Sequence, residues 1–254
     1  MTRHDISSKW IDGPRRVTVW ANEVQGSRGP GVQGDSSASP HLLILHDGQN
    51  LFEPDRAHRP GHHWRVAETM AMLVEAGKIP PLVVVGVDHA GQGRITELTP
   101  TEGTHYGAGD LWRHGRFLME ELVPYMAAEY GINTAPGALA LGGSSLGGLA
   151  TLAVAQQYPA RFGRLLVMSP SIWWDNRVIL RRLRRHPLMP TTKVWLDVGH
   201  QEGRDTLANV RILKHLLRDQ LDAGGVGGVE DPLGDHSEDA WARRLPDALT
   251  WLFA

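Results

Sequence analysis

Short runs of consecutive apolar residues recur along the chain, separated by stretches in which apolar residues return every three or four positions. The runs predict β-strands covered on both faces, because a half-exposed strand would alternate apolar and polar residues. They lie at residues 17–20, 42–45, 82–87, 138–141, 165–168 and 194–198. The stretches with helical spacing lie at residues 64–76, 111–129, 149–157, 207–221 and 238–253. This alternation predicts an α/β fold with a mostly parallel central sheet and helices on both faces.

The length of 254 residues and the absence of a visible repeat predict a single domain over residues 1–254. Within it, the Gly-, Ser- and Pro-rich segment at residues 24–40 predicts a flexible surface loop. Ligands of parallel α/β sheets bind beyond the carboxyl ends of the strands. The loops that follow strands are therefore where we look for reactive groups.

Charge and composition exclude several classes of function. The 26 Lys and Arg against 28 Asp and Glu give no basic footprint for nucleic acid and no attraction to an anionic membrane. The apolar runs are far shorter than the roughly 18–20 residues of a membrane span, and the polar first residues lack the apolar core of a secretory signal. We expect a cytoplasmic protein, with no prediction of oligomeric state. The absence of cysteine excludes disulfides and thiolate catalysis, whereas 13 histidines leave acid–base chemistry and a His/carboxylate metal site open.

A candidate nucleophile follows the predicted strand at 138–141. The segment Gly143-Ser144-Ser145-Leu146-Gly147 has the pattern Gly-x-Ser-x-Gly between a strand and a helix. A sharp strand-to-helix turn needs small neighbours, and it would present the Ser145 hydroxyl at the top of the sheet with the Leu146 N–H available to an oxyanion. A glycine-rich turn or a phosphate loop is the alternative. The segment lacks the Lys and Ser/Thr of a Walker-type loop, and a dinucleotide fingerprint would open the first βαβ unit.

A serine nucleophile needs a histidine base, which in α/β-hydrolases lies downstream. Four histidines follow Ser145. His186 lies in a basic stretch and His215 within a predicted helix, and both are interpreted as surface residues. His236 lies in a loop just before the last helix, where the base is expected, and His200 is an alternative base only if its loop is arranged differently.

Three carboxylates compete for the role of the acid that orients the histidine, and all lie in or after the strand at 194–198. Glu202 ranks first because a turn after the strand could direct it toward His236. Asp205 ranks second because it could instead cap the following helix. Asp197 ranks third because it lies within the strand and is expected to point into a helix–sheet contact.

A further loop at residues 46–52 (His-Asp-Gly-Gln-Asn-Leu-Phe) follows the strand at 42–45. Its place matches the early loop that donates a second oxyanion-hole N–H. We assign that donor to Gln49, with Gly48 as the neighbouring candidate. His46 and Asp47 are interpreted as residues that hold the loop in shape, and a tight turn without catalytic function is the alternative.

With these loops the chain resembles the putative-esterase family of α/β-hydrolases, which includes enterochelin-esterase-like and esterase D-like enzymes. The matching stretches are residues 46–52, 142–148, 169–174 and 234–241. The resemblance implies the α/β-hydrolase fold and a catalytic triad of Ser145, Glu202 and His236. It also implies that Trp173 and Trp174 help to wall the substrate pocket.

The segment at residues 86–100 also resembles the family, which has an Arg and a Glu before Thr-Pro at this place. Arg94 could bind an anionic group of the substrate. An intramolecular pair between Arg94 and Glu97 is the alternative.

Two remaining clusters are interpreted as structural. His58, His62 and His63 lack the helical spacing and catalytic Glu of a zinc protease, and the Pro-Gly between them indicates a loop, so no metal site is predicted. The five arginines within residues 177–185 are interpreted as the exposed face of a helix.

Together these features predict a serine esterase that hydrolyses a small-molecule carboxylic ester through an acyl-enzyme and without a cofactor. Aryl esters, acylated sugars and siderophore-like trilactones are all compatible substrates. The alternatives are an acyltransferase that uses the same acyl-enzyme and a non-catalytic binding protein built on the hydrolase fold.

Overall fold

A twisted, mostly parallel sheet forms the centre of the molecule. The computed structural model of the chain describes residues 1–21, 39–80, 82–103, 106–107 and 109–254. Residues 24–38 of the predicted flexible loop lie outside the described residues. In chain order the strands are Thr2–Ile6 (β1), Arg15–Ala21 (β2), His41–His46 (β3), Leu82–Val87 (β4), Leu139–Ser144 (β5), Phe162–Met168 (β6), Lys193–Gly199 (β7), Val226–Gly227 (β8) and Glu230–Asp231 (β9).

The strand order across the sheet is β1-β2-β4-β3-β5-β6-β7-β8, and β9 pairs with β7 beyond β8. The strands from β4 to β8 run parallel, whereas β1 and β2 form an antiparallel edge against β4. The carboxyl ends of β3, β5, β6 and β7 therefore meet at one edge. This arrangement confirms the predicted mostly parallel sheet.

Helices cover both faces of the sheet. They are Val66–Glu75 (α1), Arg94–Leu98 (α2), Leu111–Arg116 (α3), Val123–Tyr130 (α4), Leu146–Gln157 (α5), Trp174–Arg185 (α6), Arg204–Gln220 (α7) and Glu238–Phe253 (α8), with a π-helical segment Phe117–Leu122 joining α3 to α4. One apolar core contains side chains of α3 to α7, and the other contains those of α1 and α8. Among the described residues no helix is both long and apolar enough to cross a bilayer.

The central strand β3 shows why consecutive apolar residues predict a buried strand. Leu42 and Ile44 pack into the first core and Leu43 and Leu45 into the second, and each is at most 1% exposed. Successive side chains of a strand point to opposite faces, so a sheet covered on both sides needs apolar residues at every position. Burying one such side chain stabilises the fold by about 1.5–3 kcal/mol.

The strands that the sequence analysis missed are polar or very short. β1 has only Ile6 buried, and β8 and β9 have two residues each. The short helix α2 was not predicted either. The arginine-rich segment is helical as expected from Val178 onward, whereas Arg177 has a left-handed backbone conformation. Val178, Ile179 and Leu183 of α6 are buried, and the arginines at 181, 184 and 185 are exposed.

A buried charged cluster ties β2, α2 and α3 together behind the loop that follows β3. Arg15, Glu97 and His114 are each at most 7% exposed. Glu97 accepts hydrogen bonds from Arg15 Nη1 and from His114 Nδ1, the latter at 3.2 Å. The other ring nitrogen of His114 lies 3.3 Å from His46 Nδ1. Burial opposes the charge of Glu97, but His114 and Arg15 outweigh it and lower the pKa of Glu97 to about 2.

We expect Glu97→Gln to be destabilised at neutral pH by about 3 kcal/mol, because the substitution leaves Arg15 buried without a charged partner. The folded-state pKa of Glu97 lies below its ordinary value of 4.5, so this stabilisation is complete above pH 4.5 and is lost as the pH falls toward 2. Urea unfolding at pH 7, 4.5 and 3 should show the difference from wild type shrinking with acidity. Glu120→Gln, which breaks the exposed Arg116–Glu120 pair, is the matched control and should cost under about 1 kcal/mol. A difference that is the same at all three pH values would contradict the role of the Glu97 charge.

Candidate active site

Ser145 is the single residue between the end of β5 and the start of α5, and it has φ 55° and ψ −121°. Positive φ is strained for a residue with a side chain, and the flanking glycines make room for the turn. A Cβ on Gly143 would lie 3.0 Å from the carbonyl carbon of Gly147, and one on Gly147 would lie 3.1 Å from Cβ of His46. The Ser145 N–H is anchored on the Met168 carbonyl at 3.1 Å. These contacts fix the serine at the carboxyl edge of the sheet.

The three residues that the sequence analysis ranked first as nucleophile, base and acid form one hydrogen-bonded series. Ser145 Oγ lies 3.0 Å from His236 Nε2, and His236 Nδ1 lies 2.7 Å from Glu202 Oε2. The side chain of His236 is 45% exposed, whereas that of Glu202 is 1% exposed. The series thus runs from a solvent-accessible serine to a buried carboxylate.

The loop that carries His236 packs directly on the loop that carries Glu202. The Gln201 N–H donates to the Gly234 carbonyl at 2.9 Å. A Cβ on Gly199 would lie only 2.2 Å from the same oxygen, so this close approach requires glycine. Immediately after His236, Ser237 caps α8 by accepting a hydrogen bond from the backbone of the first turn.

The Glu202 carboxylate has donors on both oxygens. Besides His236 on Oε2, its Oε1 accepts from the Gly199 N–H at 2.7 Å and from Ser169 Oγ at 2.6 Å. Ser169 Oγ in turn accepts from Trp241 Nε1 and Arg244 Nη2, each at 3.0 Å. Burial disfavours the charge, but the hydrogen bonds from His236, Ser169 and Gly199 outweigh it and hold the pKa of Glu202 below its usual range.

The two other candidate acids lie elsewhere. Asp197 is fully buried in β7, accepts from Trp195 Nε1 at 2.8 Å and pairs with Arg244 at 3.1 Å. It therefore lies in the helix–sheet contact that its position predicted, and burial raises its pKa to about 6. Asp205 is exposed in the first turn of α7. The N-cap of α7 is Gly203, so the alternative that Asp205 caps this helix is wrong.

The loop after β3 forms a 3-10 turn, Gly48–Asn50, that begins after Asp47 in a left-handed conformation. The turn uses the N–H groups of Asn50 and Leu51, which donate to the carbonyls of Asp47 and Gly48. Gly48 and Gln49 come earlier in the turn, and their N–H groups donate no hydrogen bond within it. Gly48 also packs so closely on β4 that a Cβ would lie 2.5 Å from the carbonyl carbon of Gly86.

Arg94 holds this loop through Asp47. Its Nε and Nη2 donate to the two carboxylate oxygens of Asp47 at 2.6 and 2.8 Å. Burial opposes the charge of Asp47, but this bidentate pair outweighs it and keeps the pKa of Asp47 below its ordinary value. The expected alternative, a pair between Arg94 and Glu97, is wrong, because Glu97 is engaged by Arg15 and His114.

His46 is buried at the base of the same loop. Burial, assisted by the neighbouring His114, lowers the pKa of His46 to about 3, so the imidazole is neutral at physiological pH. With its neighbour Asp47 it supports the loop, as the sequence analysis proposed.

A cavity of about 360 Å³ opens in front of Ser145. Its lining includes Gln49, Arg94, His236 and Trp241. Further titratable side chains that line it are those of Asp47, His58, Arg59, His89 and Glu238. The cavity therefore joins the loop after β3 to the series of Ser145, His236 and Glu202.

Trp173 and Trp174 do not line this cavity. Trp174 is 1% exposed, and its indole nitrogen donates to the Thr101 carbonyl at 3.1 Å. Trp173 is 50% exposed and packs against Trp174 and Tyr106 with ring centroids 5.7 and 6.3 Å away. Trp174 is thus part of the buried core, and Trp173 lies on the surface.

Four residues beside the site were not found by the sequence analysis. Ser171 Oγ lies 3.3 Å from Ser145 Oγ, and Ser169, Trp241 and Arg244 surround the buried side of Glu202. Ser169 and Ser171 lie in the stretch that carried the family resemblance, so their proximity to the end of β6 was an available signal. Trp241 was assigned only to the apolar face of α8.

The histidines at 58–63 serve the surrounding loops. The His58 N–H donates to Asn50 Oδ1 at 2.8 Å, His62 Nδ1 lies 2.5 Å from Asp239 Oδ2, and His63 lies 3.7 Å from Glu68. Over the part of the chain that the structure describes, no three His, Asp or Glu side chains are grouped so that they could hold a metal ion.

Comparisons with known proteins agree on one family. The sequence model of the family described as "Putative esterase" matches residues 29–252. The iron(III) enterobactin esterase of Dickeya dadantii is 27% identical over 99% of this chain, and the chain spans 54% of that relative's length. Among solved structures, the BES protein from Bacillus cereus has a TM-score of 0.78 at 20% identity, covering 100% of this chain and 94% of that one.

The enterobactin esterase FES from Shigella flexneri, solved in the presence of enterobactin, has a TM-score of 0.77 at 21% identity. It covers 99% of this chain, which spans 58% of that protein. These structures confirm the α/β-hydrolase fold that the sequence predicted. Since the family match extends over most of its length, the chain belongs to the Putative esterase family of carboxylic ester hydrolases.

Proposed function

We propose that the protein is a serine esterase in which Ser145 is the nucleophile, His236 the general base and Glu202 the acid that orients it. The observation that carries the proposal is the hydrogen-bonded series of these three side chains, with distances of 3.0 and 2.7 Å, at a cavity of about 360 Å³. The nucleophile–base–orienting group arrangement is the one that activates a serine hydroxyl at neutral pH.

In the first half of the reaction, Ser145 Oγ attacks the ester carbonyl carbon while His236 Nε2 takes the hydroxyl proton. The resulting imidazolium is stabilised by Glu202, which keeps its charge because of its hydrogen bonds. His236 then gives the proton to the leaving alcohol, and the acyl group remains on Ser145. In the second half, His236 takes a proton from water, the hydroxide attacks the acyl carbon, and the proton returns to Ser145 as the acid leaves. These steps require neither a metal ion nor a cofactor.

Two backbone N–H groups are proposed to bind the oxyanion. Leu146 is the first residue of α5, so its N–H has no acceptor within the helix and lies at the positive end of the helix dipole. Gln49 lines the same cavity as His236, and its N–H is free of the 3-10 turn that contains it. Gly48 is the alternative donor, because its N–H is free of the turn as well.

We infer that the substrate is a small-molecule ester with aryl or polar groups. Two arginines (Arg59 and Arg94), two carboxylates (Asp47 and Glu238) and three histidines line the cavity, and the Arg94 side chain is 28% exposed although it is paired with Asp47. Aryl esters fit this description, and enterobactin is a further candidate because it appears in the names of the esterase relatives, of whose length the chain spans only about half.

Ser145→Ala should lower kcat for p-nitrophenyl acetate by about 10³- to 10⁶-fold while the protein stays folded, because the nucleophile is lost and the scaffold is unchanged. Labelling with a fluorophosphonate, followed by peptide mapping, should find the adduct on Ser145. Ser171→Ala is the matched control, since its hydroxyl lies 3.3 Å from that of Ser145, and it should still be labelled. A Ser145→Ala protein with wild-type turnover would overturn the proposal.

Glu202→Gln should lower kcat by about 10²- to 10⁴-fold, because an amide can donate to His236 Nδ1 and so hold the wrong tautomer. Asp205→Asn should leave kcat within about twofold, since Asp205 is exposed and makes no contact with His236. The two variants should be compared by steady-state kinetics and by thermal unfolding. If Asp205→Asn is the slow variant, the assignment of the acid is wrong.

The proposed substrate class is tested with a panel of esters: p-nitrophenyl acetate, a neutral aliphatic ester and enterobactin, each followed by chromatography of the products. We expect hydrolysis of the aryl ester and of enterobactin, with the aliphatic ester slower because its alcohol is a poorer leaving group, and no activity in Ser145→Ala. Cleavage of the aryl ester without cleavage of enterobactin would remove the trilactone from the proposal and leave ester hydrolysis standing.

A further inference from the structure

One face of the final helix contacts both the proposed base and the proposed acid. Trp241 and Arg244 are three residues apart and lie on the same face of α8, and Ser237 is the N-cap of this helix. His236 immediately precedes this face, and its ring packs edge-on against Trp241 with centroids 5.0 Å apart. The position of α8 therefore sets the position of the base.

Arg244 is the deepest residue of this face. It is 4% exposed, and its Nη2 donates to Ser169 Oγ at 3.0 Å. The same nitrogen lies 3.1 Å from Asp197 Oδ1 and 3.8 Å from Glu202 Oε1. Since Ser169 Oγ accepts from Arg244, its own proton is directed to Glu202 Oε1.

The guanidinium also packs under the loop that carries His236. Its Nη1 lies 3.5 Å from Asp231 Oδ2, and a Cβ on Gly234 would lie 2.6 Å from Nη1. Three carboxylates, those of Asp197, Glu202 and Asp231, thus surround one buried cation. No other cation lies within 4 Å of Asp197 among the described residues.

We propose that Arg244 is a positioning residue of the esterase: its guanidinium locks Ser169 so that one oxygen of Glu202 is held and the other faces His236. This inference rests on the proposed function. Arg244 touches neither the substrate cavity nor Ser145, and it acts only through Ser169 and Glu202. By the same contacts it fixes α8, and hence the base, relative to the strand ends that carry the acid.

Substitution of Arg244 separates this role from general support of the fold. Arg244→Met should lower kcat by about 100-fold with KM within about threefold, because a small displacement of the orienting group is costly to the chemical step. Arg244→Lys, which keeps one cationic donor, should recover about tenfold of that loss. Arg243→Met is the matched control and should have wild-type kinetics, since the neighbouring Arg243 side chain is 55% exposed and, within the described part of the chain, forms an ion pair only with Asp231, at 3.6 Å.

Arg244→Met leaves Asp197 buried without a cation, so the variant is expected to unfold at a lower temperature. The double variant Asp197→Asn/Arg244→Met removes the unpaired carboxyl and should recover most of the unfolding temperature. If Arg244 positions Glu202, the double variant remains slow. Recovery of both stability and kcat would show a structural role only and overturn the proposal.

The pH profile of kcat/KM gives a readout that a purely structural role would not move. With Glu202 no longer aligned, the imidazolium of the base loses its partner, and the acidic limb of the double variant should shift to lower pH relative to wild type and Arg243→Met. An unshifted limb with wild-type kcat would overturn the proposal. If Ser145→Ala is inactive, such a result rejects the role of Arg244 alone, whereas an active Ser145→Ala rejects the proposed function itself.

Discussion

The structure around the site depends on keeping the carboxylate of Glu202 charged although only 1% of its side chain is exposed. A buried charge is costly unless hydrogen bonds replace the lost water. The donors come from three separate elements: Gly199 at the end of β7, Ser169 after β6, and His236 before α8. The hydrogen bonds that this one buried carboxylate needs therefore fix the relative positions of two strand ends and the last helix.

The parallel sheet makes this arrangement possible, because β5, β6 and β7 end at the same edge. Ser145, Ser169 and Glu202 follow these three neighbouring strands, so residues far apart in sequence become neighbours without long connecting loops. The arrangement requires local backbone strain and close packing. Ser145 and Ser169 both have positive φ, and Gly199 lies so close to the Gly234 carbonyl oxygen that a residue with a Cβ would clash.

The sequence was informative wherever one residue type or period has one structural explanation. Consecutive apolar residues predicted β3 to β7, and the glycines around Ser145 predicted the sharp turn. The partners of charged residues were not predictable in this way. Arg94 had Glu97 three residues away, yet it pairs with Asp47, because the loop after β3 folds back onto α2. Arg244 lies among the apolar positions of α8, and nothing in the local pattern shows that it pairs with the buried Asp197, 47 residues earlier in the chain. β1 escaped detection because its polar residues are paired at an exposed edge.

Two ion pairs support the site: Asp47 with Arg94, which are 8% and 28% exposed, and Asp197 with Arg244, which are 0% and 4% exposed. Such pairs contribute little net stability, because desolvation offsets much of their attraction, but breaking one leaves an uncompensated charge. Their value lies in geometry. An apolar contact tolerates sliding, whereas a bidentate or shared guanidinium defines direction and distance. The relative positions of the serine, the imidazole and the carboxylate are therefore supported by charged pairs where the rest of the core uses aliphatic packing, and this is why the supporting residues are polar although most of them are buried.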